Sequence, residues 1–163
     1  MHLVFMGVSG TGKSAVAQPV ADALRCEFAE GDDFHPQANL AKMRSGTPLT
    51  DEDRLPWLRA LAVWTRERAE QDRATAITCS ALRRGYRDVL REGAPDTCFV
   101  HLSGSRELIL ARMSGRQHFM SATLLDSQLE TLEPLQSDER GLVVDIDAAL
   151  DDLVEGLVER LRR

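Results

Sequence analysis

The sequence predicts an α/β fold, in which helices cover both faces of a parallel β-sheet. Short runs of aliphatic and β-branched residues alternate with longer amphipathic stretches, and this alternation is typical of parallel strands connected by helices. A glycine-rich loop directly follows the first apolar run and precedes the first amphipathic stretch. The chain has 163 residues, a length that suits one core, so we expect residues 1–163 to form a single domain.

Five strands are expected from their apolar, β-branched composition. The second is shorter and more polar than the others and is the weakest of the five. The predicted strands are residues 3–6, 27–30, 75–78, 98–102 and 142–146.

Seven helices are expected between and after these strands, at residues 13–24, 37–45, 51–72, 86–92, 106–113, 122–131 and 148–161. The third has the clearest start. Thr50 stands at its N-cap position, and Asp53 three residues later is the reciprocal acid of a capping box. Trp57 and Trp64 then recur seven residues apart, which places both on one face of the helix.

The glycine-rich loop reads G-V-S-G-T-G-K-S, a complete Walker A phosphate loop. It consists of Gly7, Val8, Ser9, Gly10, Thr11, Gly12, Lys13 and Ser14. In such a loop backbone N–H groups surround the phosphates, the lysine supplies a mobile positive charge, and the serine hydroxyl binds Mg²⁺. Glycine-rich matches also arise by chance, but the strand before and the helix after this one favour a nucleotide-binding enzyme.

Asp32 and Asp33 follow the predicted second strand. They are expected at the carboxyl edge of the sheet, where open α/β sheets bind ligands. Phosphoryl transfer to an alcohol needs a group that orients the acceptor hydroxyl and takes its proton. The two acids equally suit the capping of a turn or of the next helix, and His35 is open to the same two interpretations.

Ser80 and Arg83 follow the predicted third strand and are therefore expected at the same edge. The planar guanidinium of Arg83 suits a carboxylate. Adjacent arginines at a helix start, here Arg83 and Arg84, are also typical of a solvated surface. Arg54 has the same two interpretations.

Arg112 and Arg116 lie four residues apart in a segment with little apolar content beyond it. This pattern predicts a mobile lid at about residues 112–122, whose cations close over a polyphosphate. The alternative is that both arginines extend a solvated helix face.

Composition narrows the function classes. The net charge is −6 with scattered acidic and basic residues, which argues against a nucleic-acid or membrane partner and favours a small polar substrate. Cys26, Cys79 and Cys98 lack the paired spacing of a zinc site, so we expect buried, reduced thiols and a cytoplasmic protein. The apolar N-terminus is too short for a signal peptide or a membrane span.

The residues resemble one family closely, the gluconate kinases of the P-loop kinase superfamily, and the resemblance runs nearly end to end. Many families share the phosphate loop, whereas the stretch 35–57 and C-S-A-L are far more specific. The matching residues are Met6 to Ser14, Gly31-Asp32, His35-Pro36, Asn39, Lys42-Met43, Gly46, Pro48-Leu49, Asp51, Asp53-Arg54, Pro56-Trp57-Leu58, Cys79 to Arg83, Tyr86 to Arg91, His118 to Met120, Leu132 to Leu135, Asp138-Glu139 and Val144 to Asp147.

The resemblance implies transfer of the ATP γ-phosphoryl group to the 6-hydroxyl of D-gluconate with Mg²⁺, a sheet ordered 2-3-1-4-5, a P-loop kinase fold and a homodimer. It implies catalytic roles for Lys13, Asp32, Arg112 and Arg116, with Asp32 at the acceptor hydroxyl and Ser14 at Mg²⁺. It implies substrate contacts from Asp32, His35, Arg54, Ser80, Arg83 and His118. Arg54 and Arg83 are the preferred partners of the gluconate carboxylate.

The lid segment departs from the family pattern, because it is one residue shorter before His118 and has Ser121 where proline is usual. We therefore expect Arg112 to contribute more than Arg116. Two other functions stay open: a kinase for another small sugar acid or a shikimate-like substrate, and a nucleotide-binding module without turnover.

Overall fold

A computed structural model of the chain describes residues 1–114 and 122–163. Its strands are β1 (His2–Met6), β2 (Glu27–Ala29), β3 (Thr75–Thr78), β4 (Cys98–Ser103) and β5 (Gly141–Asp145). Its helices are α1 (Lys13–Leu24), α2 (Gln37–Arg44), α3 (Asp51–Ala69), α4 (Arg84–Arg91), α5 (Arg106–Ser114), α6 (Ala122–Thr131) and α7 (Leu150–Arg162). Each predicted strand and helix is confirmed, with small shifts at the ends. A short 3₁₀ helix at Gly31–Phe34 was not predicted.

β1 lies at the centre of the sheet. The strand order is β2-β3-β1-β4-β5 and every neighbouring pair is parallel, which confirms the order that the resemblance implies. Val4 pairs with Ile77 on one side and with Phe99 on the other. Because all five strands run in one direction, the loops that follow them meet at a single edge.

Alternate residues of β1 face two different layers of helices. Leu3 and Phe5 belong to a buried cluster that includes residues of α1, α5, α6 and α7. Val4 and Met6 belong to a second cluster, with residues of α3 and α4. A strand buried on both faces needs apolar side chains at every position, and this is why the run reads as continuously apolar rather than alternating.

α3 begins as predicted. The Asp53 N–H donates to the Thr50 hydroxyl at 3.1 Å, and the Thr50 N–H donates to the Asp53 carboxylate at 2.9 Å. Lys42 donates to the same carboxylate at 2.6 Å, and the hydrogen bonds from Lys42 and Thr50 lower the pKa of Asp53 to about 2. α3 ends at Ala69, earlier than predicted, ahead of a turn in which Asp72 has a left-handed φ of 54°.

Arg87, on α4, is fully buried. Its guanidinium donates to both carboxylate oxygens of Glu139, at 2.6 and 3.0 Å. It also donates to the main-chain carbonyls of Ala81, Leu82, Glu133 and Pro134. Burial alone would raise the pKa of Glu139, but the hydrogen bonds from Arg87 and the Gln136 N–H outweigh it and hold the pKa below its usual value.

The described residues also bear on two predictions about cellular context. Cys26, Cys79 and Cys98 are free thiols and all three are buried, as predicted. In the ranges 1–114 and 122–163 we find no helix with the length and apolar character that a membrane span requires.

Removal of one partner of the Arg87–Glu139 pair should destabilise the protein strongly. Glu139→Ala leaves a buried guanidinium without its counter-charge, so we expect the free energy of unfolding to fall by about 3–5 kcal/mol. Urea denaturation followed by circular dichroism measures this. The pKa of Glu139 is lower in the folded protein than in the unfolded chain. The stability that ionised Glu139 contributes is therefore fully present above its unfolded pKa, and it is lost as the pH falls through its folded pKa.

The matched control is Asp138→Ala, which breaks the ion pair between Arg84 and the exposed Asp138. An exposed pair contributes little, so this variant should stay close to the parent protein. If Glu139→Ala lowers the free energy of unfolding as little as Asp138→Ala does, the buried ion pair does not contribute the stability expected of it.

Candidate active site

A cavity of about 470 Å³ opens at the carboxyl edge of the sheet. Its walls come from the phosphate loop, the segment after β2, the start of α3, the loop after β3, α4 and α6. Six of the predicted site residues line it: Ser9, Lys13, Asp32, His35, Arg54 and Ser80. Side chains predicted from separate strand ends therefore surround one space.

The phosphate loop needs glycine where the backbone is crowded. Gly7 has a φ of 141°, and a Cβ there would lie 2.6 Å from the Leu102 carbonyl oxygen. The Gly7 N–H donates to the Ser80 carbonyl at 3.2 Å. Gly12 caps α1 with a left-handed φ of 83°. The loop thus leads directly into the N-terminus of a helix, the part of a helix that attracts anions.

Lys13 is held by the loop itself. Its Nζ donates to the carbonyls of Gly7 and Val8, both at 3.1 Å, and it lines the cavity. Burial lowers the pKa of Lys13, while the carboxylates of Asp32 and Glu30 act in the opposite direction. A cation held by main-chain oxygens contributes charge to the site and little to the packing of the core.

Ser14 lies beside Glu30, a carboxylate to which the sequence analysis gave no role. The Ser14 hydroxyl donates to Glu30 Oε2 at 2.6 Å, and the Thr78 hydroxyl donates to Glu30 Oε1. Adjacent hydroxyl and carboxylate oxygens are hard donors of the kind that Mg²⁺ prefers. Within the described residues no group of three or more histidine, cysteine or acidic side chains could hold a metal.

Asp32 and Asp33 are adjacent but have different surroundings, because Asp32 lines the cavity and Asp33 does not. Gly31 fixes the start of this turn. Its N–H donates to the Thr78 hydroxyl at 3.0 Å, and its carbonyl accepts from Trp57 Nε1 at 2.7 Å. A Cβ at this position would lie 1.8 Å from the Thr78 carbonyl oxygen. Gly31 and its partners thereby set the register that brings Asp32 to the cavity.

His35 packs flat against Trp57, with ring centroids 4.1 Å apart and an interplanar angle of 19°. Its Nδ1 lies 3.2 Å from the Asn39 amide nitrogen, and its Nε2 lies 3.9 Å from Asp32 Oδ1. Burial lowers the pKa of His35; Asp32 opposes this shift and Arg54 adds to it. The lowered pKa favours the neutral imidazole, which carries one N–H.

The structure separates the two arginines that the sequence left equivalent. Arg54 lines the cavity and donates to the Leu49 carbonyl at 2.5 Å. Arg83 is not among the lining residues; it forms an ion pair with Asp51 at 3.5 Å. The two guanidinium carbons lie 5.6 and 6.0 Å from the centre of the Tyr86 ring, and Tyr86 itself lines the cavity.

α6 contributes a contact that sequence reasoning missed. The Ser9 N–H donates to Gln128 Oε1 at 2.8 Å, and Gln128 Nε2 donates to the Ser9 hydroxyl at 3.2 Å. One side-chain amide therefore bonds both the main chain and the side chain of a phosphate-loop residue. Nothing in the local sequence distinguishes Gln128 from a solvated helix residue, so no signal pointed to it.

The predicted lid lies mostly outside the described residues. Arg112, near the end of α5, donates to the Ile146 carbonyl at 2.5 Å. Arg116 and His118 fall in the range 115–121, which the structure does not describe. The lid and the roles of these three residues stay predictions.

Comparisons with known proteins agree with this geometry. A family model described as an AAA domain matches residues 3–135. The thermoresistant gluconokinase of Escherichia coli (strain K12) is 45% identical over 164 residues, which cover 98% of this chain and 93% of that protein.

Two crystal structures are similar over nearly the whole chain. A gluconokinase from Sinorhizobium meliloti 1021 has a TM-score of 0.87 and 44% identity, covering 98% of this chain and 92% of its own. A sugar kinase from Janibacter sp. HTCC2649 has a TM-score of 0.92 and 54% identity, covering 99% and 94%. The similarity therefore includes every strand that supports the cavity.

Lys13→Ala should abolish most ATP-dependent turnover and leave the fold intact. The Nζ of Lys13 donates to two loop carbonyls, and Lys13 lines the cavity, so we expect kcat to fall on the order of 10²-fold or more. Steady-state kinetics and circular dichroism measure the two effects. Lys42→Ala removes the same charge outside the loop and should be much milder. A Lys13→Ala protein that is unfolded, or as active as the Lys42 variant, would contradict the assignment.

Proposed function

We propose that this chain, which belongs to the gluconokinase family, transfers the γ-phosphoryl group of ATP to the 6-hydroxyl of D-gluconate. The identity of 45% to a gluconokinase over 98% of the chain carries this proposal. The cavity supports it, because a phosphate loop, a carboxylate and an arginine line the same space.

Asp32 is the proposed general base, which binds the hydroxyl of the phosphoryl acceptor. In this scheme the 6-hydroxyl donates a hydrogen bond to Asp32, which takes the proton as the oxygen attacks the γ-phosphorus. The bond between the γ-phosphorus and the β–γ bridging oxygen breaks, and ADP leaves with that oxygen. The position of Asp32 in the same cavity as Lys13 supports this role.

Charge on the phosphates is balanced from several directions in the proposed site. Lys13 and the loop N–H groups face the β- and γ-phosphates at the N-terminus of α1. Ser14 and Glu30 would hold Mg²⁺, which neutralises phosphate charge when it is bound. Arg112 and Arg116 are the proposed lid cations, and Arg112 would have to leave the Ile146 carbonyl to reach the phosphates.

The sugar acid is proposed to lie with its carboxylate at Arg54, since Arg54 is the one of the two candidate arginines that lines the cavity. Arg83 is proposed to act indirectly, because it contacts Tyr86, which lines the cavity, and pairs with Asp51. His35, Ser80 and His118 are the proposed hydroxyl contacts. A homodimer and a cytoplasmic location also stay predictions.

Acceptor-dependent ADP release tests the function directly. The protein is incubated with ATP and Mg²⁺ alone, and then with D-gluconate, other sugar acids or shikimate in turn. We expect ADP release that requires an acceptor and a kcat/KM that is highest for D-gluconate. A higher kcat/KM for another acid would change the substrate, and binding of ATP without acceptor-dependent release would favour a module without turnover.

Asp32→Asn should lower kcat on the order of 10²-fold or more and change the KM for ATP little, because the amide cannot accept the hydroxyl proton. Asp33→Asn is the matched control, since it makes the same change one residue away and outside the cavity. Steady-state kinetics with saturating ATP measures both. An inactive Asp33 variant beside an active Asp32 variant would reverse the two assignments.

Arg54→Ala should reduce the preference for D-gluconate over neutral glucose. The Arg54 guanidinium can form an ion pair with the carboxylate of gluconate but not with neutral glucose. Its loss should therefore lower kcat/KM for gluconate on the order of 10²-fold and change kcat/KM for glucose little. Arg59→Ala removes an exposed arginine from the same helix and should leave the preference unchanged. An unchanged preference in the Arg54 variant would mean that another cation binds the carboxylate.

A further inference from the structure

Asn39, on α2, is only 3% exposed and uses one nitrogen for two hydrogen bonds. Its Nδ2 donates to the main-chain carbonyl of Asp53 at 2.9 Å, and the same Nδ2 lies 3.2 Å from His35 Nδ1. Asn39 therefore connects the start of α3 to the imidazole that lines the cavity.

These two contacts determine where the imidazole proton is. A carbonyl can only accept, so the Asn39 atom that faces Asp53 must be the NH₂ group, and this fixes the orientation of the amide. The second amide hydrogen then points at His35 Nδ1, which must present its lone pair. A neutral imidazole has one N–H, so the proton of His35 is on Nε2.

His35 and Asp32 both line the cavity. His35 Nε2 lies 3.9 Å from Asp32 Oδ1, a separation too long for a hydrogen bond. Two atoms at this separation can nevertheless both lie within hydrogen-bond distance of one bridging oxygen. A hydroxyl there would accept from His35 and donate to Asp32, so that both groups are satisfied.

We propose that Asn39 is a positioning residue that holds His35 as its Nε2–H tautomer, so that His35 and Asp32 form a donor–acceptor pair matched to a substrate hydroxyl. This inference rests on the proposed function and extends it to the functional group of the substrate that the site selects, a hydroxyl rather than a keto group. The other tautomer would place two acceptors against one hydroxyl hydrogen. A keto group in the same place would leave Asp32 facing an acceptor and should be rejected.

The tautomer can be measured without any substrate. Two-bond ¹H–¹⁵N correlation NMR of protein labelled with ¹⁵N-histidine distinguishes the two neutral forms, and the spectrum of His35→Ala identifies the His35 signals among the four histidines. We expect the Nε2–H form in the parent protein and a mixture of both tautomers in Asn39→Ala. The Nδ1–H form in the parent protein would overturn the proposal, whatever substrate the enzyme uses.

A double-mutant cycle tests whether Asn39 acts through His35. We expect Asn39→Ala to lower kcat/KM for gluconate on the order of 10-fold, with the KM for ATP changed by less than about 2-fold. In a His35→Ala background the same change should cost nothing further. Gln37→Ala, at an exposed position of α2, is the matched control and should be neutral.

Asn39 also ties α2 to α3, and the cycle separates this structural role from the proposed one. A purely structural residue would lower stability equally with or without His35 and would leave the tautomer unchanged. Additive losses in the cycle would therefore overturn the proposal even if Asn39→Ala is less active. If gluconate is not the substrate, kinetics will show no turnover of gluconate while the NMR measurement stays informative.

Discussion

The central position of β1 is the constraint on which the rest of the site depends. Because β3 and β4 both pair with it in parallel, the loop that leaves β1 emerges between two other strand ends. Gly7 is enclosed there between the Ser80 and Leu102 carbonyls. A loop confined in this way keeps its N–H groups oriented before phosphate arrives, which is the basis of electrostatic preorganisation. Asp32, which follows β2, and Ser80, which follows β3, line the same cavity.

A second wall of the cavity depends on the buried guanidinium of Arg87. It ties Ala81 and Leu82, in the loop after β3, to Glu133 and Pro134 beyond α6. Ala81 has a φ of 46°, an unfavourable conformation for alanine that persists only where the surroundings enforce it. Leu82 lines the cavity. The hydrogen bonds of one buried side chain therefore connect the packing of α4 to the shape of the cavity.

Features that depend on local pattern could be predicted from the sequence, and features that depend on distant contacts could not. The loop at 7–14 and the placement of Asp32 follow from short motifs and from the rule that parallel strands end at one edge. Arg54 and Arg83 look alike in the sequence; they differ because Arg54 lies in α3 facing the cavity, whereas Arg83 is the N-cap of α4 and pairs with an acid. Gln128 reaches Ser9 only through the folded chain.

Ser9 and Lys13 of the phosphate loop, the proposed base Asp32 and the proposed carboxylate partner Arg54 line one cavity. A crystal structure with a non-hydrolysable ATP analogue, Mg²⁺ and D-gluconate tests the proposed roles most directly. We expect the gluconate carboxylate at Arg54 and the 6-hydroxyl within hydrogen-bond distance of Asp32, directed at the γ-phosphate on Lys13. Gluconate bound outside this cavity, or bound in it with the carboxylate at Asp32 and C6 at Arg54, would contradict the arrangement.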